Sequence, residues 1–344
     1  MIDLPPLRIG VFGETRLAEG ITFQVEATPG LNLLWSGQNP DLLHEQAVDV
    51  LVEASNSTSQ GAELALAALK GQTHLVLTNP AIDLAIGPLL HATAYQNGLL
   101  VSSDAGTRHG ALAALIQEAR IMGFEIMQAG AVCDENSTRL QMELACLANS
   151  FGFLPPSDGM SGPEVANLSD VLGAFDFDAY EGQAHIDYVT CPPLDGSLYL
   201  VVKPMADLPR TQSEFLKDYR LGDGPYYLLH RPYHLGHLET PKTILGVAAG
   251  QAILPPGEQG CQVVAAALED LPAGTSIHQA LKASQMQGIA VPSHPDHVPL
   301  ALLDENTVLQ KDLSRSQAVT FDHIELPDVP LTHRWVEQLG LLED

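Results

Sequence analysis

The sequence is poor in basic residues and cysteines, and it lacks any long apolar run. Its 344 residues include 16 lysines and arginines against 42 aspartates and glutamates, a formal net charge of −26. Because so acidic a surface repels phosphate backbones and anionic lipids, we expect no nucleic-acid partner and no membrane partner. No apolar run approaches the roughly 20 residues of a membrane span. The N-terminus also lacks a basic segment followed by an apolar one, so no secretory signal is expected.

The four cysteines lie far apart in the sequence and form no C-x-x-C pair. They are Cys133, Cys146, Cys191 and Cys261. This spacing is typical of free thiols in a reducing compartment, and it disfavours a disulfide framework or a cysteine zinc site. We therefore expect a cytoplasmic protein. Apolar residues make up 45% of the chain, enough for a large core spread over two or three domains.

Short apolar runs alternate with helical segments through the first third of the chain. The runs are residues 7–12, 31–35, 48–52, 74–78, 98–102 and 124–128. The helical segments between them cover residues 15–25, 61–70, 82–96 and 110–122. This alternation predicts an α/β fold with a doubly wound, mostly parallel, Rossmann-like sheet of six strands. We assign residues 1–130 to this dinucleotide-binding domain.

The turn after the first strand is the first place to look for a ligand, since parallel sheets bind ligands at the carboxyl ends of their strands. A dinucleotide fingerprint reads G-x-G-x-x-G/A at this point. The chain keeps Gly13 and a small third position at Ala18, but Thr15 replaces the second glycine. The β-branch of Thr15 crowds the site, while its hydroxyl and Arg16 can still hold a phosphate.

The other turns refine the cofactor prediction. No carboxylate follows the second strand, which disfavours NAD, while Ser36 together with Arg16 favours the 2′-phosphate of NADP. Ser55 and Asn56 follow the third strand, and Asn79 follows the fourth, where a ribose, a nicotinamide or a substrate would lie. For Asn79, an ordinary turn with a helix N-cap is the alternative.

The middle third, residues 131–260, is predicted to be an α+β domain for catalysis and dimerisation. Apolar patterning gives strands at residues 178–180, 185–189 and 197–202, and helices at residues 138–151, 215–219 and 241–252. The last part, residues 261–328, is predicted to be β-rich, with strands at 263–268, 298–303 and 320–326. Residues 329–344 form a tail that either docks as a short helix or remains loose.

Residues 229–242 hold the best catalytic candidates. His234 or Lys203 is suited to move a proton at neutral pH, and Arg231 to bind a phosphate or carboxylate with its forked guanidinium. Glu239 completes the set. Arg231 could instead pair structurally with one of the many acids. The pattern His234-x-x-His237-x-Glu239 could also bind a divalent metal, but no third ligand is evident, so no metal residue is assigned.

Several segments together resemble a known family. They are residues 48–56, 75–79, 86–90, 123–130 and 142–159, and Leu-His-Arg-Pro-Tyr-His-Leu at 229–235. Nearly the whole chain resembles homoserine-dehydrogenase-like NAD(P)-binding oxidoreductases, in the subgroup with a C-terminal SAF domain. That subgroup includes the reductoisomerase-like enzymes that make methylerythritol phosphate from deoxyxylulose phosphate. The resemblance implies that residues 261–328 are a SAF-like accessory or oligomerisation module and that the protein is a homo-oligomer.

Two departures from the family keep two functions open. Residues 129–132 contain no lysine where members usually carry one, and residues 134–139 run almost directly into the next helix. One function is an NAD(P)-dependent oxidoreductase, with NADP preferred, acting on a small polar substrate that is phosphorylated or sugar-derived. The other is a divergent, non-catalytic relative that keeps the fold for metabolite binding or assembly.

Overall fold

The computed structural model describes residues 5–180 and 182–343, with the backbone only at residue 343. The strands are β1 (Leu7–Phe12), β2 (Leu31–Gly37), β3 (Val50–Glu53), β4 (His74–Leu77), β5 (Val101–Ser103), β6 (Phe124–Val132), β7 (His185–Val189), β8 (Leu198–Pro204), β9 (Tyr227–Arg231), β10 (Cys261–Ala267) and β11 (Met286–Pro292). The α-helices are α1 (Arg16–Ala27), α2 (Leu42–Glu45), α3 (Thr58–Lys70), α4 (Pro80–Gln96), α5 (Arg108–Ile121), α6 (Thr138–Phe151), α7 (Val171–Ala174), α8 (Arg210–Asp218), α9 (Thr240–Ala248), α10 (Ile277–Lys282) and α11 (Pro330–Glu343).

The first sheet has five parallel strands in the order β2-β1-β3-β4-β5, which confirms the α/β prediction. The central strand β3 is buried along its whole length, as expected for a parallel sheet covered on both faces. Four helices begin at the carboxyl edge of this sheet. Each is capped by a side-chain oxygen that accepts a hydrogen bond from a backbone amide of the first turn; the capping residues are Thr15, Ser57, Asn79 and Thr107.

The sixth predicted strand forms but belongs to another sheet. β6 pairs in parallel with β7 and antiparallel with β8, and β8 continues antiparallel to β9, giving the order β7-β6-β8-β9. The apolar run extends to Val132, so the strand has nine residues rather than five. Its apolar pattern predicts a strand correctly but carries no information about which strand lies beside it.

Both faces of this second sheet are covered by the chain itself. Helices α5 and α6 cover one face. On the other, Val165, Val171 and Phe177 pack against Tyr199 and Val201. The strand predicted at residues 178–180 is wrong, because Phe177–Tyr180 is a turn of 3-10 helix in this covering layer. β7 and β8 lie where they were predicted.

The C-terminal part is less β-rich than predicted. β10 and β11 form one antiparallel pair, from Cys261 opposite Pro292 to Ala267 opposite Met286. The strands predicted at 298–303 and 320–326 are wrong, because these segments form turns of 3-10 helix at Leu300–Leu302 and Phe321–His323. Among the residues of these two segments, only Thr320 forms an isolated bridge, with His297. The SAF-like assignment of residues 261–328 therefore stays a prediction.

The C-terminal tail is the docked helix α11, one of its two predicted forms. It packs on α3 and α4 of the first domain. Arg334 donates through Nε and Nη2 to the two carboxylate oxygens of Glu63, at 2.9 and 3.1 Å. Leu331 is buried in the core formed by the helices of the first sheet. No helix of the described residues is long and apolar enough to cross a membrane.

Close backbone packing at Gly106 gives a test of the fold. A Cβ atom at Gly106 would lie 1.8 Å from the carbonyl oxygen of Gly236, whose own amide donates to Gly106 at 3.1 Å. We expect Gly106→Ala to lower the free energy of unfolding by about 1–3 kcal/mol, because backbone atoms must move apart. Gly173→Ala is the matched control, since no atom lies within 4 Å of that Cβ position. Urea unfolding of both variants measures the difference, and equal midpoints would contradict the contact.

Candidate functional site

Three cavities lie along the carboxyl edge of the first sheet. The outer cavity, of about 520 Å³, is lined by Gln38, Asp41, Gln60 and Pro330 among others. The central cavity, also about 520 Å³, is lined by the turns after β1, β3 and β4. The inner cavity, of about 370 Å³, lies beside the turn after β5. The central and inner cavities share the lining residues Leu17 and Arg139, so they lie side by side.

The turn after β1 comes very close to the end of β3. A Cβ atom at Gly13 would lie 2.5 Å from the carbonyl oxygen of Ala54, so only glycine fits there. The Thr15 hydroxyl donates to the same carbonyl at 3.0 Å and accepts from the amide of Ala18 at 3.0 Å. Thr15 therefore lines the central cavity as a helix cap. Its hydroxyl proton is already committed, contrary to the expected contact with a phosphate.

The other predicted cofactor residues divide into two groups. Ser55, Asn56 and Asn79 line the central cavity together. The Asn79 side chain accepts from the amide of Ala81 at 3.1 Å, so it acts as a helix cap as well. Arg16 and Ser36 are exposed, and neither is among the residues lining the three cavities.

A buried carboxyl group lies behind the central cavity and was missed in the sequence. Glu53 ends β3 and is fully buried, and its Oε1 accepts from the amide and the hydroxyl of Ser55. Its Oε2 has no hydrogen-bond partner among the described residues. Burial raises the pKa of Glu53 to about 7, although the bonds from Ser55 oppose that shift.

The inner cavity contains a charge cluster built around one buried carboxylate. Arg108 donates to Glu143 at 2.6 Å, and Arg139 donates to its other oxygen at 3.0 Å. Burial alone would raise the pKa of Glu143, but Arg108, His109 and Arg139 hold it below its ordinary value. Two guanidinium groups around one carboxylate leave one positive charge in excess, and the carboxyl group of Asp104, which also lines this cavity, opposes that charge when it is ionised.

The positions of these arginines strengthen that positive potential. Arg108 is the first residue of α5, and Arg139 is the second residue of α6. The N-terminus of a helix carries a partial positive charge, which disfavours a cation there unless an anion lies nearby. The available signal in the sequence for these helix starts was a capping residue close to each arginine, Thr107 before Arg108 and Ser137 two residues before Arg139. The sequence could not show that the two helix ends meet.

His234 lines the inner cavity beside this cluster. Its Nδ1 lies 3.0 Å from the carbonyl oxygen of Gly196, and a carbonyl can only accept, so Nδ1 carries a proton. In the neutral ring, Nε2 is then the free acceptor. Nearby, the buried Asp104 accepts from the hydroxyls of Thr240 and Thr243 at 3.0 and 2.8 Å. Burial raises the pKa of Asp104 to about 6, and these two bonds oppose the shift.

Three predicted catalytic residues do not reach this site. Arg231 is bound to Glu239 in a largely buried ion pair and also donates to the Ala111 carbonyl, so neither partner of the pair is free to hold a substrate. Lys203 pairs with Glu125. It lies five residues along β8 from Leu198, which is opposite Arg231, a separation of about 17 Å along the strand. The sequence pattern alone therefore could not place Arg231, Glu239 or Lys203 relative to this cavity.

The metal alternative for His234, His237 and Glu239 is also not supported by their positions. His234 faces the Gly196 carbonyl and Glu239 binds Arg231, whereas the His237 ring packs against Gly20 of α1. Within residues 5–180 and 182–343, no group of three such ligands is arranged to hold a metal ion.

Comparisons with known proteins place a similarity on this part of the chain. Residues 135–240 match the family model of the oxidoreductase DRL catalytic domain. This range contains Arg139, Glu143 and His234 and covers about a third of the chain. A comparison with curated proteins gives no significant match.

Solved structures of dehydrogenases share parts of the fold at low identity. A "probable dehydrogenase" from Thermotoga maritima is 16% identical, covering 74% of this chain and 91% of its own, with a TM-score of 0.45. A myo-inositol dehydrogenase from Corynebacterium glutamicum is 14% identical, covering 72% and 90%, with a TM-score of 0.44. A dipicolinate-bound dihydrodipicolinate reductase from Paenisporosarcina sp. TG-14 is 12% identical, covering 74% and 96%, with a TM-score of 0.40. These likenesses are too distant to assign an activity.

The buried carboxyl group of Glu53 predicts a measurable pH dependence of stability. Its folded pKa of about 7 lies above the ordinary 4.5, so the folded chain holds the proton more tightly than the unfolded chain. Its contribution to stability is therefore greatest below pH 4.5 and is lost as the pH rises towards 7, by about 3 kcal/mol. We expect Glu53→Gln to remove that part of the decline. Denaturant unfolding at pH 5 and pH 8 tests this, with Glu26→Gln, at an exposed position, as the control. A parallel decline in wild type and Glu53→Gln would contradict it.

Proposed function

We propose that this protein is an NAD(P)-dependent oxidoreductase, with NADP preferred, that acts on a small anionic substrate which is phosphorylated or sugar-derived. One observation carries the proposal: the central and inner cavities lie side by side, with Leu17 and Arg139 lining both, at the carboxyl edge of a parallel sheet. Parallel α/β sheets bind ligands at that edge, and neighbouring cavities would bring cofactor and substrate into contact. The similarity of residues 135–240 to an oxidoreductase catalytic domain supports the same reaction class.

The residues at this edge are compatible with a dinucleotide. The tight turn at Gly13 packs on the end of β3, and α1 begins immediately after it, so the N-terminus of α1 lies at the edge where a pyrophosphate would bind. The backbone of the turn at Gly13–Thr15 would hold the pyrophosphate, Arg16 together with Ser36 would hold the 2′-phosphate, and the outer cavity would hold the adenosine. Ser55, Asn56 and Asn79 would border the nicotinamide half in the central cavity. When bound, the cofactor would accept the hydride from the carbon of a substrate hydroxyl, or supply it when the reaction runs in reverse.

The inner cavity offers the guanidinium groups that could bind an anionic substrate. The arginine pair around Glu143 offers guanidinium donors to a phosphate or carboxylate group. Arg139 is the more accessible of the two, with a little over half of its side chain exposed. We assign it the direct contact with the substrate anion and Arg108 a supporting charge.

His234 is the remaining candidate for proton transfer, since Lys203 lies at the far end of β8. The Gly196 carbonyl fixes the proton on Nδ1 and orients the ring. Nε2 is then suited to accept a proton from a substrate hydroxyl, or to return one when the reaction runs in reverse.

A second candidate, a non-catalytic relative that binds a metabolite, rests on different contacts. The Thr15 hydroxyl is used as a cap, and Arg231 and Glu239 neutralise each other. Such a protein would bind anions in the inner cavity without binding a nicotinamide cofactor. The two experiments below separate these functions.

The cofactor preference is tested by titration with NADPH and NADH while nicotinamide fluorescence is followed. We expect NADPH to bind more tightly, and Arg16→Ala to weaken NADPH about tenfold while NADH stays unchanged, because only NADPH has the 2′-phosphate. Arg210→Ala is the control, since Arg210 is exposed on α8 and pairs only locally with Glu214. Failure of both nucleotides to bind at millimolar concentration would reject the oxidoreductase.

The anion site is tested with inorganic phosphate as the probe. Phosphate should raise the melting temperature of the wild type, because a ligand of the folded state stabilises it by mass action. We expect Arg139→Met to lose most of that increase. Arg120→Met should keep it, since Arg120 lies over the Phe151 ring, away from the cavities. Equal shifts in both variants would exclude Arg139 from anion binding.

A further inference from the structure

Helix α4 is bent in its middle, and the cause is local. Ile86 has φ −136° and ψ 22°, outside the helical range, and Pro88 lies inside the helix. A proline has no amide to donate, and its ring collides with the carbonyl four residues earlier. The Leu89 amide and the Ala85 carbonyl, which are partners in a regular α-helix, lie on either side of Ile86 at this bend.

A side chain near the C-terminus forms hydrogen bonds with both of these backbone groups. The Leu89 amide donates to Oε1 of Gln338 at 3.2 Å, and Nε2 of Gln338 donates to the Ala85 carbonyl at 3.3 Å. Gln338 is on α11 and is almost fully buried. A carboxamide accepts and donates at once, so it satisfies both backbone groups that the bend would leave without a partner.

The bend lies just over one helical turn from the central cavity. Asn79, Pro80 and Ala81 begin α4 and line that cavity, and Ile86 is five residues beyond Ala81. Between them, Ile82 and Ala85 are buried, so this first half of α4 is held tightly by its surroundings. The direction in which this half leaves the sheet edge depends on how far the bend opens.

We propose that Gln338 is a positioning residue for the candidate site: by holding the bend of α4, it places Asn79–Ala81 against the nicotinamide half of the cofactor. This role rests on the proposed function. It makes the C-terminal helix part of the active-site support, although α11 contributes no residue to the central cavity. Gln338 acts through α4 and touches neither the cofactor nor the substrate.

The same helix provides a matched control. Arg334 lies one turn before Gln338 and binds Glu63 of α3 through a partly exposed ion pair. Arg334→Met loosens the attachment of α11 without removing a contact to α4. Gln338→Met has a similar volume to glutamine but removes both hydrogen bonds at the bend. A specific role for the bend predicts different results for the two variants.

The experiment compares the dissociation constants of NADPH and of 2′,5′-ADP, which represents the adenosine half alone. We expect Gln338→Met to weaken NADPH about tenfold and to leave 2′,5′-ADP within about twofold. Arg334→Met should leave the ratio of the two constants unchanged. An unchanged ratio in Gln338→Met would overturn this role alone. A wild type that binds no NADPH would overturn the proposed function and this role with it.

Amide hydrogen exchange gives a readout that is independent of the cofactor. We expect the Leu89 amide to exchange about tenfold faster in Gln338→Met and at the wild-type rate in Arg334→Met. Wild-type exchange in Gln338→Met would show that Gln338 does not hold the bend, and would overturn the proposal. Where Gln338→Met does not fold, Gln338→Glu replaces it. This variant keeps an acceptor for Leu89 but loses the donor to Ala85, and we expect changes in the same direction.

Discussion

The buried carboxylate of Glu143 is the interaction on which the candidate site depends. It binds the arginines that begin α5 and α6, two helices that pack on each other and on the second sheet. Without that carboxylate, the two guanidinium groups would face each other at two positive helix ends, and no other buried acid among the described residues pairs with them. Since Glu143 is nearly inaccessible and its pKa stays low, it remains ionised at neutral pH. The cluster thus fixes the relative position of the two helix ends and the charge of the inner cavity at once.

The segment carrying His234 is attached to the first sheet by neighbouring contacts of a different kind. Gly236 meets Gly106 backbone to backbone, and Asp104 receives hydroxyl bonds from Thr240 and Thr243. The turn after β5 therefore interacts with residues more than a hundred positions later in the chain. These contacts explain why a histidine from the second domain lines a cavity at the edge of the first sheet.

The sequence was sufficient for what depends on local pattern. Short apolar runs separated by helices gave the parallel sheet, and the small polar residues at its turns gave Ser55, Asn56 and Asn79, which do share one cavity. The predictions that failed depend on which strands and helices pack against each other in the fold. β6 has the pattern of a buried strand in either sheet, and nothing local selects β8 as its neighbour. Arg108 and Arg139 are separated by thirty residues, so only the packing of α5 on α6 shows that they bind one carboxylate. Lys203 and Arg231 are both suited by their chemistry to a catalytic role, but the antiparallel pairing of β8 with β9 puts them far apart along the strands.

The presence of two arginines at the inner cavity of a protein with net charge −26 has a consequence for the rate at which anions associate. At low ionic strength the far field of the surface repels an approaching anion, although the arginine cluster would attract it once it enters. Dissolved ions screen the long-range repulsion over about 10 Å at 0.1 M, and they weaken contacts at hydrogen-bond distance much less. Anions should therefore associate faster as salt is added, the reverse of the behaviour of proteins that guide charged ligands with an oppositely charged surface. At the proposed anion site, ionic strength therefore sets the balance between repulsion of an anion at long range and its attraction at short range.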